Sequence, residues 1–229
     1  MDYHTTDPEF AEIVERFAFN EVLNEGHSLD EETRHLIILS ALIGCYGLEV
    51  FKRELSRALE AGLTPVMVKE MVYQAADYLG LGRMLPFLDA TNEILLGMGI
   101  NLPLPPQGTV SPENRLERGA QAQAEIFGEH MLQAWKSSHI NRWLAENCFG
   151  DYYTRQGLSL AQRELITFCF LAAQGGCEPQ LIAHAGGNMN LGADKEYLVS
   201  VVSQILPYIG YPRSLNAISC INKAAEARK

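Results

Sequence analysis

Apolar residues recur at helical spacing in two separated stretches of the chain. One stripe, at positions i, i+3, i+4 and i+7, consists of Val68, Met71, Val72 and Ala75. The other consists of Leu198, Val201, Val202 and Ile205. This spacing places four apolar side chains on one face of an amphipathic helix. Thr64 with Pro65 and, in the second stretch, Asp194 are candidate residues for starting these helices.

A third stretch, Leu160 to Ala173, is apolar on nearly all sides and predicts a buried helix. Ser159 and Gln162 precede and enter it with the spacing of a capping box, and Asp30 is a matching N-cap candidate earlier in the chain. No convincing alternation of apolar and polar residues predicts a β-strand. The fold class that this pattern predicts is all-α.

The chain repeats itself at a displacement of 129 to 130 positions. The segment Arg34–Ile37 aligns with Arg163–Ile166 at 129, and one inserted residue changes the register to 130. Pairs that match at 130 include Gly62 with Gly192, Gln74 with Gln204, Tyr78 with Tyr208, Arg83 with Arg213, and Asn92 with Asn222. We therefore expect two tandem copies of one bundle of antiparallel helices.

The segment Gly97–Gly108 is dense in glycine and proline, so it cannot continue a helix. We predict a first, degenerate repeat over residues 1–96, a linker over 97–110 and a second repeat over 111–229. A helix is expected to begin at Ser111–Pro112 and to run to about Trp135. The aromatic stretch Trp143–Tyr153 is interpreted as a packing lid.

Composition narrows the classes of function. The 229 residues are 47% hydrophobic and 20% charged, as is usual for globular proteins, and the net charge of −10 argues against nucleic-acid binding. No apolar run approaches the ~20 residues that span a bilayer, and the acidic stretch Met1–Glu15 does not read as a secretory signal. Five cysteines form neither a CxxC pair nor a zinc-like spacing. A cytoplasmic location, no membrane partner and no metal are expected.

The second repeat contains an ordered set of motifs. They are Arg163-Glu164-Leu165, then Gly175-Gly176-Cys177-Glu178-Pro179-Gln180 followed by His184, then Gly192, then Pro207 to Asn216. This succession resembles the carboxymuconolactone decarboxylase family, which includes alkylhydroperoxidase-type thiol proteins. The resemblance covers Leu158 to the C-terminus and, more weakly, Leu29–Leu96. It implies an all-α bundle that assembles into trimers or hexamers.

The family has two chemical branches, and the resemblance assigns residues to each. One branch decarboxylates a carboxylated muconolactone by acid/base chemistry without a cofactor; the other reduces peroxides with a CxxC dithiol, a glutamate and a histidine. The glutamate falls on Glu164, the histidine on His184 and the first cysteine on Cys177. The second cysteine falls on Gln180, which cannot act as a nucleophile. The dithiol mechanism is therefore broken in this chain.

Each of these residues also has a structural interpretation. His184 can transfer protons near neutral pH, or it can be an ordinary structural or surface histidine. Glu164 can be its acid/base partner in an apolar pocket, or it can interact with a helix N-terminus. The first repeat has His35 in place of Glu164 and Glu54 or Leu55 in place of His184. It is therefore expected to have lost the site.

Cys177 precedes a helix start that would lower the pKa of its thiol, or it is a small residue in a tight turn. Arg213 is either a clamp for a substrate carboxylate or a structural residue that bonds helix-end carbonyls. Gln180, one helical turn from His184, is a candidate substrate contact. Cys169 and Cys220 are expected in the core.

Three functions follow from these residues. The leading hypothesis is a cofactor-independent enzyme similar to carboxymuconolactone decarboxylase, in which Glu164 and His184 move protons on a small carboxylated lactone or 3-oxo acid. The alternatives are a single-thiol peroxidase or redox protein that uses Cys177, and a non-catalytic binding or scaffold protein. If the family's count of six bundles holds, chains with two repeats assemble as a homotrimer.

Overall fold

The computed structural model describes residues 3–25 and 29–228, and these contain helices and no β-strand, so the all-α prediction is confirmed. Met1 and Lys229, the outer limits of the predicted repeats, lie outside the described residues. In its described residues, the N-terminal half has seven α-helices, with a π-helical segment, Phe17–Glu21, between the second and the third. They are α1 (Tyr3–Thr6), α2 (Pro8–Arg16), α3 (Val22–Glu25), α4 (Glu31–Gly44), α5 (Leu48–Glu60), α6 (Pro65–Leu79) and α7 (Leu81–Gly97).

Up to residue 228, where the described chain ends, the C-terminal half has six α-helices and two less regular helical segments. The α-helices are α8 (Arg115–Phe127), α9 (His139–Trp143), α10 (Leu160–Gln174), α11 (Glu178–Asn190), α12 (Lys195–Ile209) and α13 (Tyr211–Glu226). A 3₁₀ segment, Glu129–Ser137, connects α8 to α9, and a π-helical segment, Leu144–Tyr153, follows α9. Between α7 and α8, the described chain has no helix.

Four of the predicted helix starts are confirmed. Each N-cap side chain accepts a hydrogen bond from the backbone N–H three residues later; these caps are Asp30, Thr64, Ser159 and Asp194. Ser159 and Gln162 form the complete capping box. A cap of this kind contributes about 1 kcal/mol to helix stability. Four of the long helices are thus fixed at their first residue by local sequence alone.

One apolar core joins the two repeats. Helices α4 and α10 pack against each other, and both are buried along most of their length. A Cβ atom at Gly44 would lie 2.8 Å from the Phe170 carbonyl oxygen, so glycine is required for this close approach. Both predicted stripes are buried, and Cys169 and Cys220 are 0% and 1% exposed. The core therefore belongs to neither repeat alone.

The segment after the linker differs from its prediction. The helix begins at Arg115 rather than Ser111, because residues 112–114 form a turn in which Asn114 Oδ1 accepts the Ser111 N–H. It ends at Phe127 rather than Trp135, because Gly128 has φ 106° and changes the chain direction. Helix α8 then packs closely on the π-helical segment 144–153: a Cβ atom at Gly119 would lie 1.8 Å from the Ala145 carbonyl oxygen.

The linker is fastened to the end of that π-helical segment. The Gln156 backbone N–H donates to the Gln107 carbonyl oxygen at 3.0 Å, and the Thr109 hydroxyl donates to the Thr154 carbonyl oxygen at 2.7 Å. The linker thus lies along the molecule beside the residues that enclose the candidate site.

Among the described helices, none combines the length and apolar character needed to cross a membrane.

Candidate active site

The structure brings Glu164 and His184 into direct contact. Helix α10 carries Glu164 in its second turn with no solvent exposure, and α11 carries His184 in the facing position. The distance between His184 Nδ1 and Glu164 Oε1 is 2.6 Å. This is the length of a strong, charge-assisted hydrogen bond. The two residues that the resemblance paired therefore form one buried unit.

Two residues of α11 fix how closely it approaches α10. The Asn188 side-chain amide donates to the backbone carbonyl oxygens of Glu164, at 3.0 Å, and of His184, at 2.8 Å. At Gly187, a Cβ atom would lie 2.5 Å from Glu164 Oε1 and 2.8 Å from Ile126. Asn188 therefore ties the two helices together, while Gly187 leaves the space that the carboxylate occupies.

The second oxygen of Glu164 is bound by Tyr153. The Tyr153 hydroxyl donates to Glu164 Oε2 at 3.1 Å, and it also contacts the hydroxyls of Thr167, at 2.7 Å, and Tyr78, at 2.9 Å. A phenol has one proton to donate, so Thr167 and Tyr78 must donate theirs to Tyr153. Gln74 Nε2 in turn donates to the Thr167 hydroxyl at 2.8 Å. Hydrogen-bond donation thus runs in one direction, from Gln74 to Thr167, from there to Tyr153, and from Tyr153 to the Glu164 carboxylate.

Aromatic rings enclose the imidazole. The rings of Tyr78 and Phe127 meet it edge to face, with centroids 5.5 and 5.4 Å away. Phe149 packs on Tyr153 at 4.6 Å, so the π-helical segment contributes two rings to the enclosure. Burial raises the pKa of both Tyr78 and Tyr153 well above the usual range, which keeps both phenols neutral. The His184 side chain retains 10% exposure.

The hydrogen bond to Glu164 selects one tautomer of His184. An ionised carboxylate can only accept, so Nδ1 carries the proton of the neutral imidazole. No atom of the described chain hydrogen-bonds to Nε2, and this nitrogen is not among the fully buried polar atoms that lack a partner. Nε2 is therefore the ring atom that can exchange a proton with a bound molecule.

A partly buried carboxyl group, Asp77, lies next to this network. Burial raises the pKa of Asp77 to about 7, the Asp151 carboxylate acts in the same direction, and a hydrogen bond with Cys148 opposes them. The Cys148 thiol also contacts the Tyr78 hydroxyl at 3.5 Å. Burial raises the pKa of Cys148 well above its ordinary value. Neither Asp77 nor Cys148 was among the predicted site residues.

Cys177 does not have the reactive environment that its position before a helix suggested. Its thiol is half-buried and donates to the Leu171 carbonyl oxygen at 3.5 Å. Burial raises the pKa of Cys177, and the neighbouring Glu178 carboxylate adds to the rise. The prediction of a lowered pKa was wrong, because desolvation outweighs the helix dipole here. Cys177 and His184 are also about 10 Å apart along α11 by the helical rise.

Arg213 lies away from the Glu164–His184 pair. It is exposed in the first turn of α13, next to Gly175 at the far end of α10, which is about 16 Å along that helix from Glu164. Its counterpart in the first repeat, Arg83, donates to the Gly44 carbonyl oxygen at 3.2 Å. Within one chain, Arg213 therefore lies apart from the pair, and its role as a carboxylate clamp stays a prediction. Gln180 is exposed on α11, one turn before His184.

The surroundings of the pair include a cavity but no evident metal centre. A cavity of about 330 Å³ lies beside the start of α10 and the end of α11, and Leu165, Asn188 and Tyr197 are among its lining residues. Glu164 and His184 do not line it. Within residues 3–25 and 29–228, no group of three or more His, Cys, Asp or Glu side chains is placed to hold a metal ion.

Comparison with known proteins agrees with the repeat and with the fold. A sequence model of the carboxymuconolactone decarboxylase family matches the chain twice, over residues 8–93 and 139–223. A solved crystal structure from Burkholderia xenovorans LB400, provisionally described as a gamma-carboxymuconolactone decarboxylase subunit, has a TM-score of 0.52 at 22% identity, covering 99% of this chain and 90% of that chain. A search of curated proteins gives no match. Glu164 and His184 both lie in the second matched region.

The raised pKa of Asp77 predicts a pH-dependent gain in stability for Asp77→Asn. The folded chain holds the proton up to about pH 7, whereas an unfolded aspartate loses it near pH 4. The contribution of Asp77 to stability is therefore fully present below pH 4 and is lost as the pH rises to 7. Because asparagine stays neutral, we expect the variant to be more stable than the parent at pH 8, by about 4 kcal/mol, and nearly equal at pH 4.

Urea unfolding of both proteins at several pH values measures this difference. Asp89→Asn, at an exposed position of α7, is the matched control, and its difference from the parent should not vary with pH in this way. A pH-independent difference for Asp77→Asn would mean that Asp77 ionises normally in the folded protein.

Proposed function

Because the chain belongs to the carboxymuconolactone decarboxylase family, we propose that its second repeat decarboxylates a small carboxylated lactone or 3-oxo acid without a cofactor. The observation that carries the proposal is the 2.6 Å contact between Glu164 Oε1 and His184 Nδ1, which leaves Nε2 without a hydrogen-bond partner among the described residues. This arrangement suits proton transfer to or from a substrate at Nε2. The enclosing rings favour a compact, partly apolar substrate.

In the proposed reaction, the bond between the substrate and its carboxylate carbon breaks and CO₂ leaves. The bonding electron pair moves into the adjacent carbonyl system and forms an enolate. His184 first takes a proton from solvent at Nε2 and becomes an imidazolium, gives this proton to the substrate carbon, and returns to the neutral ring protonated at Nδ1. Glu164 holds the ring orientation and lies next to the positive charge of the imidazolium, in the role of an orienting carboxylate.

Tyr153 acts through Glu164 as a positioning residue. Its hydroxyl occupies Oε2 at 3.1 Å, which leaves Oε1 to His184. Tyr78, from the first repeat, supports Tyr153 through a hydroxyl contact of 2.9 Å. The proposed site thus takes its acid/base pair from the second repeat and part of its support from the first.

The proposal also includes a cytoplasmic location and a homotrimer. All five cysteines are free, as is common in a reducing compartment. The first turns of α7 and α13 expose large apolar residues at matching positions of the two repeats: Leu81 and Leu85, at 60% and 45%, and Tyr211 and Leu215, at 59% and 66%. Exposed apolar pairs in equivalent places favour equivalent contacts, which three chains with two repeats each could close into a ring.

Light scattering coupled to size exclusion tests the trimer. We expect a mass three times the 25.5 kDa of one chain. Replacing the matched leucines with Leu85→Glu and Leu215→Glu should reduce this mass, because charges would have to be buried in each contact. The variant Leu96→Glu, also at an exposed position of α7, should leave the mass unchanged. A monomeric parent protein would contradict the homotrimer.

Turnover of a panel of carboxylated lactones and 3-oxo acids, beginning with 4-carboxymuconolactone, tests the reaction. We expect Glu164→Gln and His184→Gln each to lower kcat by a factor on the order of 10² to 10⁴, since each removes the positioned proton transfer. Tyr153→Phe should have a smaller effect on kcat, because the carboxylate and the imidazole remain.

His35→Gln is the matched control, because it changes the residue that occupies the place of Glu164 in the first repeat. It should leave turnover unchanged. If folded Glu164→Gln and His184→Gln proteins turn over the panel as fast as the parent, these two residues do not have the proposed roles.

A further inference from the structure

A second polar cavity lies on residues that the proposed reaction does not use. It has a volume of about 400 Å³ and lies between α6, α7 and the linker. The polar residues in its wall are Lys69, Glu70, Tyr73, Asn92 and Arg155. The linker closes one side with Leu102–Pro106. Small-molecule sites in proteins have this size and combine apolar walls with a few polar groups.

Lys69 is buried in this wall without an acidic partner. The residue is 8% exposed, and its Nζ donates to Asn92 Oδ1 at 2.6 Å. In the described ranges, no carboxylate oxygen lies within 4.0 Å of this ammonium group. A buried cation costs free energy unless a counter-charge accompanies it. Lys69 therefore leaves a positive charge in the cavity for which the described chain provides no direct partner.

The other charges of the wall do not remove this excess. Glu70 is 1% exposed and accepts hydrogen bonds from two guanidinium groups: Arg155 Nε at 2.8 Å and Arg163 Nη2 at 2.9 Å. Lys69, Arg155 and Arg163 against the single Glu70 carboxylate leave two positive charges in this cluster, in which Arg163 is fully buried and does not line the cavity. The chain as a whole has a net charge of −10, so this concentration of positive charge runs against its composition.

The apolar surfaces of the cavity indicate what kind of anion would fit. The Tyr73 ring lies 5.1 Å from Lys69 Nζ and 5.6 Å from the Arg155 guanidinium carbon, so both cations are near one aromatic face or edge. Leucine, valine and proline side chains form much of the remaining wall. Such walls favour a hydrocarbon body, whereas a phosphate ion would leave them uncovered.

We propose that this cavity binds a small organic dicarboxylate. Lys69 receives one carboxylate, and the accessible part of Arg155, whose side chain is 25% exposed, receives the other. The body of the ligand lies against Tyr73 and the linker prolines. The site is separate from the Glu164–His184 pair and does not depend on the proposed reaction.

Isothermal titration of the full chain with phthalate, succinate and inorganic phosphate at low ionic strength tests the proposal. We expect both dicarboxylates to bind more tightly than phosphate. Lys69→Met keeps the aliphatic stem but removes the charge, and it should weaken dicarboxylate binding by roughly tenfold or more. Lys52→Met, at a surface salt bridge with Glu49, is the matched control and should bind as the parent does.

A second variant keeps the test independent of the buried lysine. Leu104→Glu adds a carboxylate to the half-buried linker wall and should also weaken dicarboxylate binding about tenfold or more by repulsion. Three results would overturn the assignment: no binding of either dicarboxylate at millimolar concentration, equal binding by folded Lys69→Met, or tighter binding of phosphate than of both dicarboxylates.

Discussion

A carboxylate with no solvent exposure must receive hydrogen bonds from the protein, and the surroundings of Glu164 are arranged to provide them. His184 Nδ1 occupies one oxygen and the Tyr153 hydroxyl the other. Asn188 holds α11 against α10, and Gly187 provides the space for the carboxylate between the two helices. Because the same contacts fix the orientation and tautomer of the imidazole, the interaction that makes this burial tolerable also leaves Nε2 available for proton transfer.

The two repeats contribute unequally but jointly to the site. The first repeat has no Glu–His pair in the family's order, yet its helix α6 supplies Tyr78 to the enclosure and Gln74 to the donors behind Tyr153. Gln74 also accepts a hydrogen bond from Arg163, which in turn donates to Glu70 in the wall of the cavity between α6, α7 and the linker. A continuous chain of buried hydrogen bonds therefore runs from the imidazole through α6 and α10. The repeat without this Glu–His pair thus contributes to the structure around the pair of the other repeat.

The sequence was sufficient for features that depend on neighbours along one helix. The N-caps, the apolar stripes and the repeat were predicted for this reason, and the family resemblance placed Glu164 and His184 together. Tyr78 was missed because 86 positions of chain separate it from Glu164. Tyr153 lies only 11 positions before Glu164, but its aromatic stretch was interpreted as packing, since tyrosines in helices commonly pack in cores. The helix start after Cys177 did not reveal that burial raises the pKa of its thiol, and the repeated motif around Arg213 did not reveal that its side chain lies away from the pair. No local sequence pattern predicted the cavity between α6, α7 and the linker, since Lys69, Asn92 and Arg155 come together only after folding.

Nitrogen-15 NMR of the His184 ring, assigned by loss of its signals in His184→Gln, tests the role of Glu164 most directly. Spectra recorded from neutral to alkaline pH distinguish a protonated from an unprotonated ring nitrogen in the neutral imidazole. Glu164 is expected to hold the proton on Nδ1 and leave Nε2 unprotonated, and Glu164→Gln is expected to abolish this single tautomer. A ring protonated mainly at Nε2, or one whose tautomer is unchanged in Glu164→Gln, would contradict the account of how the buried carboxylate prepares the site.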